Sequence, residues 1–198
     1  HFSYDANLLT ELEDCFRNYS EQGTCRYRHY IHNSNEENLY GAKPGNFTKW
    51  KKFEERSDLL FYEGLHGAVV NEEINLAKYA DLKIGVVPVI NLEWIQKIHR
   101  DNAERGYSAE TIVDTILRRM PDYINHICPQ FSKTDINFQR IPTIDTSNPF
   151  ICRNIPTPDE SFVIIHFRKG AREKWGIDFQ YLLGMIHDSF MSSPTSIV

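Results

Sequence analysis

Two short apolar runs do most to limit what this chain can fold into. Asp58-Leu-Leu-Phe-Tyr62 and Leu82-Lys-Ile-Gly-Val-Val-Pro-Val-Ile90 are compact and flanked by polar or acidic residues. Such runs suit strands buried in a parallel sheet, and parallel strands need crossover connections that carry helices. The chain offers one. From Asn91 to Tyr123 the pattern turns helical, broken once at Arg105-Gly106-Tyr107. Gly106 can end one helix and Ser108 can cap the next, whose Ile112, Val113, Ile116, Leu117 and Met120 fall on one side. The predicted class is α/β, with a mixed or parallel sheet flanked by helices.

The remaining segments fill in that plan. Residues 7–18 place Leu8, Leu12, Cys15 and Phe16 at helical spacing, which predicts an amphipathic surface helix. Thr24 to His32 alternates in a way that suits a short strand, and residues 33–57, polar and carrying Gly41, Pro44 and Gly45, read as loop. Asp135–Ile144 and Phe162–Phe167 supply further strands, separated by a proline-containing stretch. A helix over Phe179–Phe190 leads to Ile197-Val198, an apolar end that reads as part of another strand. At 198 residues, 41% hydrophobic and 25% charged, one domain over 1–198 is the default expectation.

Composition removes several function classes. The net charge of −5 argues against a surface built to hold nucleic acid or anionic lipid, so phosphate chemistry must come from local basic clusters. The longest apolar run is interrupted by Gly85 and Pro88 and is too short to cross a membrane. Cys15, Cys25, Cys128 and Cys152 form no C-x-x-C pair and no metal-ligand spacing. They are expected to be reduced, structural thiols of a cytoplasmic protein.

Several constellations could carry chemistry. Glu63 stands where the run 59–62 ends and Gly64 permits a turn, the place beyond a strand's carboxyl end where α/β sheets collect ligands; the acid could hold magnesium or merely cap a helix. Lys97, Arg100, Asp101 and Arg105 share one side of a helix, giving the cations and carboxylate that phosphoryl transfer needs. The same spacing fits a solvated, salt-bridged face that includes Glu104. Arg118 and Arg119 form a further cluster that the helix dipole alone would explain. Tyr30 and His32 share a strand face and could hydrogen-bond a polyhydroxylated substrate or line an exposed sheet edge. His29 and His32 point to opposite faces, which disfavours a shared metal. Trp94 and Trp175 read as packing residues.

Three stretches closely resemble the bacterial phosphoribulokinases: Asp58-Leu-Leu-Phe-Tyr-Glu-Gly-Leu-His-Gly-Ala-Val-Val70, Asp81-Leu-Lys-Ile-Gly-Val-Val-Pro-Val-Ile-Asn-Leu-Glu-Trp-Ile-Gln-Lys-Ile-His-Arg-Asp101, and Thr134-Asp-Ile-Asn-Phe-Gln-Arg-Ile-Pro-Thr-Ile-Asp-Thr-Ser-Asn-Pro-Phe150. With His1-Phe-Ser-Tyr, Pro44-Gly-Asn-Phe-Thr48 and Gly176-Ile-Asp-Phe179, the similarity extends over nearly the whole chain. The resemblance implies a P-loop kinase fold and transfer of the γ-phosphoryl of ATP to the 1-hydroxyl of ribulose 5-phosphate, for carbon fixation in the Calvin cycle. It implies catalytic roles for Lys97, Arg100 and Asp101, magnesium-ATP handling by Glu63 and Asp101, and ribulose 5-phosphate contacts from Tyr30, His32 and Arg105. Residues about 95–123 would form a lid, with Arg118 and Arg119 tied to nucleotide or effector response. A homo-oligomer with NADH and AMP as effectors is implied as well.

One departure stands out. The family's phosphate loop, G-x-x-x-x-G-K-[ST] or a relaxed form, does not occur in these residues, and neither does the catalytic-base aspartate that follows it. The expectation is an internal piece of a kinase, with little activity alone and with an unpaired sheet edge and exposed apolar surface. The competing readings are a related uridine or nucleoside kinase and a non-catalytic regulatory paralogue of the same fold.

Overall fold

The structure, a computed structural model, describes residues 2–53 and 55–198. Where one core is the default expectation, the chain forms two compact units, Ser3–Asp81 and Leu82–Val198.

The first unit is built on helix α1, Leu9–Gln22. Its inner face puts Leu9 and Phe16 against Val69, Ile74 and Leu76, with Leu12 and Leu60 packed around them. The helix stops at Gly23, which adopts φ 68° and returns its N–H to the Tyr19 carbonyl. That left-handed turn is open to glycine at no steric cost. Strand β1, Arg26–Tyr27, pairs antiparallel with β2, Lys51–Lys52, and helix α2, Ser34–Tyr40, lies between them in the chain.

Three expectations change here. The strand predicted over 24–32 shrinks to two residues, with an isolated bridge between Tyr30 and Phe47 further on. At His29 the backbone N–H goes to the Thr48 hydroxyl, 3.0 Å, instead of a carbonyl, and the regular ladder stops there. The loop predicted over 33–57 contains α2, capped by Asn33, whose Oδ1 accepts the N–H groups of Asn35 and Glu36 at 3.0 Å. Residues 58–62 form no strand. A strand needs a neighbour for its N–H and C=O groups, and among the described residues none pairs with this run. Leu59 and Phe61 are consequently 78% and 82% exposed. Tyr62 instead meets Phe16 edge-on, ring centroids 5.1 Å apart, and lies where a Cβ on Gly64 would collide with its hydroxyl.

The second unit holds a five-stranded mixed sheet in the order β3-β4-β5-β7-β6. Its strands are β3 (Ile84–Val87), β4 (Ile136–Pro142), β5 (Ser161–Phe167), β6 (Met191–Ser193) and β7 (Ser196–Ile197). β3 and β4 are parallel, joined through α3 (Ile90–Arg105) and α4 (Ala109–Asp122), while β4 and β5 pair antiparallel over seven residues. Only the second of the two apolar runs, 82–90, supplies a strand of this sheet, and the helical stretch after it makes the crossover. Two short helices, α5 (Ala171–Trp175) and α6 (Phe179–Met185), pack Ala171 and Phe179 on Phe167 and Ile197. The predicted final helix therefore ends earlier, and the residues after it make the β6–β7 hairpin. β3 is an edge strand among the described residues, with Ile84 and Val86 exposed.

Candidate active site

Helix α3 starts directly beyond the carboxyl end of β3, the position where α/β sheets present side chains to ligands. Leu92 and Ile95 bury its inner face. Trp94 stacks on Phe150 at 5.3 Å, and His99 Nε2 shares a hydrogen bond with the Cys152 carbonyl at 3.0 Å, so the residues after β4 hold the helix from a second side. Trp94 is a packing residue, as expected.

On this helix the structure brings three of the predicted residues together. Lys97 ion-pairs with Asp101 one turn on, and Arg100 donates from Nε to the other carboxylate oxygen at 3.1 Å. Asp101 is only 3% exposed, whereas the Arg100 side chain keeps half its surface in solvent. A solvated salt-bridged face is therefore the wrong description, because the carboxylate at its centre is buried. Burial pushes the Asp101 carboxyl up, and the hydrogen bonds and charges of Lys97 and Arg100 outweigh it, leaving the group below the usual carboxylate range. It remains ionised at neutral pH and holds two cations in fixed positions.

Gly106, at φ 67°, ends α3, and the Ser108 hydroxyl caps α4 by accepting the Thr111 N–H. Both assignments match the sequence pattern. Arg105 is the last residue of α3, and its side chain lies outside the described residues. Arg118 and Arg119 sit in the later turns of α4, exposed and half-buried respectively. Of the predicted apolar stripe only Ile112 and Ile116 are buried, while Leu117 is exposed. Pro121 supplies no N–H to the preceding turn, and the helix widens to a π turn over Tyr123–Ile127.

One residue escaped the sequence reading. Glu93, half-buried, lies one turn before Lys97 and hydrogen-bonds with Tyr123. Burial raises its carboxyl, opposed by Tyr123 and by the charges of Lys97 and Arg100. The spacing Glu93-x-x-x-Lys97-x-x-x-Asp101 was there to be read, because each step is one helical turn.

In the first unit, Tyr30 and His32 do share a side, with ring centroids 4.9 Å apart and edge to face, while Ile31 between them is fully buried. The Ile31 N–H and carbonyl are held by Asn46 and Gly45, and Glu36 of α2 accepts the His32 N–H at 2.9 Å. His29 turns away and stacks on Tyr40. Glu63 is exposed and follows the unpaired run 58–62, so its expected place at a sheet strand's end is corrected. Among the described residues no group of three or more His, Cys, Asp or Glu is placed to hold a metal. Magnesium carried by a nucleotide needs only one or two carboxylates besides phosphate oxygens; Glu63 is an exposed hard donor, whereas both Asp101 oxygens are already engaged by Lys97 and Arg100.

The arrangement suits stabilisation of a phosphoryl group, and known proteins point the same way. The chain is 63% identical over 196 residues to a phosphoribulokinase of Xanthobacter flavus and 64% identical over 198 residues to one of Nitrobacter vulgaris, covering 99% and 100% of this chain. It spans 66% and 67% of those relatives' lengths. The solved structure of the phosphoribulokinase from Rhodobacter spheroides matches with a TM-score of 0.86 at 62% identity, over 100% of this chain and 67% of that one. The similarity thus runs through this chain from end to end. The fold is that of the P-loop kinases, a mixed sheet flanked by helices. Residues 1–147 match the model of the phosphoribulokinase and uridine kinase family, and the chain belongs to that family.

Proposed function

We propose that this chain serves ATP-dependent phosphorylation of ribulose 5-phosphate to ribulose 1,5-bisphosphate. The observation that carries the reading is the buried Asp101 clamped by Lys97 and Arg100, in a chain at least 61% identical to phosphoribulokinases along its length. In phosphoryl transfer negative charge spreads over the γ-phosphoryl oxygens as the attacking hydroxyl approaches, and fixed cations lower that barrier without reorganising. Lys97 and Arg100 supply those cations. Asp101 holds them in register through both of its carboxylate oxygens, and Glu63 is the exposed carboxylate offered to nucleotide-borne magnesium. Tyr30 and His32 offer hydroxyl-directed hydrogen bonds to the sugar, and Arg105 is the sugar-phosphate contact. Arg118 and Arg119 answer to nucleotide or effector, NADH and AMP being the candidates. Magnesium and ATP are the cofactor and co-substrate, and the working form is a cytoplasmic homo-oligomer.

The test is ADP release by a polypeptide carrying this chain, with ribulose 5-phosphate or uridine as acceptor. Release with ribulose 5-phosphate, lost on Lys97→Met, is the expected result. Preferential release with uridine would overturn the reading in favour of a nucleoside kinase.

A further inference from the structure

The two thiols of the first unit are not isolated from one another. Cys15, in the middle of α1, and Cys25, just before β1, bring their sulfurs to 2.6 Å. The turn at Gly23 reverses the chain at the end of α1, and this returns residue 25 alongside the helix it has just left. Cys25 is 3% exposed and Cys15 half-buried, and both are free thiols. Both also line a cavity of about 340 Å³, walled by Leu12, Phe16, Trp50 and Tyr62. A small reagent entering that cavity meets the two sulfurs together.

We propose that Cys15 and Cys25 form a modification site, closing to an intramolecular disulfide when a small-molecule disulfide such as oxidised glutathione presents its sulfurs at the cavity. The Cys15 thiol loses its proton and its sulfur attacks one sulfur of the reagent. One glutathione thiolate leaves, and a mixed disulfide forms on Cys15. Cys25, already in contact, then loses its proton and attacks the Cys15 sulfur, expelling the second glutathione thiolate. The two departing thiolates take up the two protons, so two protein thiols are oxidised as one glutathione disulfide is reduced. Burial and the neighbouring Cys25 push the Cys15 thiol up to about 12, and the first step is accordingly slow at neutral pH. The second step is fast, because the resolving sulfur needs no approach. The product ties α1 to the segment that runs through β1 toward Tyr30 and His32.

The experiment incubates the chain with oxidised glutathione in mildly alkaline buffer, quenches with acid, alkylates in denaturant and maps the peptides by mass spectrometry. The expected result is loss of two of the four thiols, no retained glutathione, and a single Cys15–Cys25 crosslinked peptide reversed by dithiothreitol. Four alkylated thiols, or a crosslink that uses Cys128 or Cys152, would overturn the proposal. In Cys25→Ala the resolving sulfur is gone, and glutathione is expected to stay on Cys15. Absence of that adduct would overturn the order of steps, and this reading of the wild-type chain does not depend on the variant folding.

Discussion

Asp101 and Asp135 are two buried aspartates of the same unit, 3% and 6% exposed, each held by cations and each kept below the usual carboxylate range although burial opposes it. They differ in where their partners come from. Asp101 is held by Lys97 and Arg100 of its own helix. Asp135 accepts the backbone N–H and the ammonium of Lys83, both at 3.0 Å, across 52 residues, and Lys174 of α5 stands 3.8 Å away. Its environment exists only when the sheet has formed. A carboxylate fed by one helix fixes charges on that helix for use elsewhere; one fed by distant segments fastens the fold.

Substitution should separate the two roles. The largest effect is expected from Asp101→Asn, a fall in kcat of about 10³-fold with the urea midpoint little moved, since Lys97 and Arg100 can turn to solvent. Steady-state kinetics and denaturation on the same preparation check this, and a fall in stability that matches the fall in activity would dissolve the contrast. Asp135→Asn should do the reverse, costing about 3 kcal/mol in urea unfolding with kcat unchanged, because Lys83 is left largely buried without its counter-charge.

Acid comes next. Both carboxyls have folded pKa values below the unfolded value of about 3.9, so the stability they contribute is fully present above that pH and is lost as pH falls through the lower folded value. Acid unfolding followed by circular dichroism should therefore flatten in this window in Asp135→Asn more than in Asp101→Asn. The smallest effect belongs to Lys174→Ala, under about 0.5 kcal/mol, since that side chain is half exposed and its ion pair is long.

How much of this was legible in the sequence follows the same division between local and distant. α1, α3 and α4 announce themselves through apolar spacing and through Gly23, Gly106 and Ser108, all signals carried within a turn or two of chain. α2 was equally local, written in Asn33-x-x-Glu36 and Gly41, and was passed over because the surrounding residues are polar. Residues 58–62 have a strand's composition but no strand, because pairing depends on a neighbour that composition does not specify. At the site, the spacing of Lys97, Arg100 and Asp101 could be read directly. The burial of Asp101 could not, since spacing along a helix does not say which of its faces is covered. Glu93 meets Tyr123 only once the turn at Gly106 has folded α4 back.

The parallel pairing of β3 with β4 also sets an order of events in folding. Arg140 and Ser161, across the β4–β5 pair, are 21 residues apart in the chain, whereas Lys83 and Asp135, across β3–β4, are 52 apart. The entropy of closing a loop rises with its length, and contacts distant in sequence are slow to form. The antiparallel β4–β5 pair is thus expected to zip first, and β3 to dock onto a sheet already made. Weakening β3 would then speed unfolding far more than it slows folding. The helix that presents Lys97, Arg100 and Asp101 follows β3 directly, so the chemistry of this unit would be assembled last and released first.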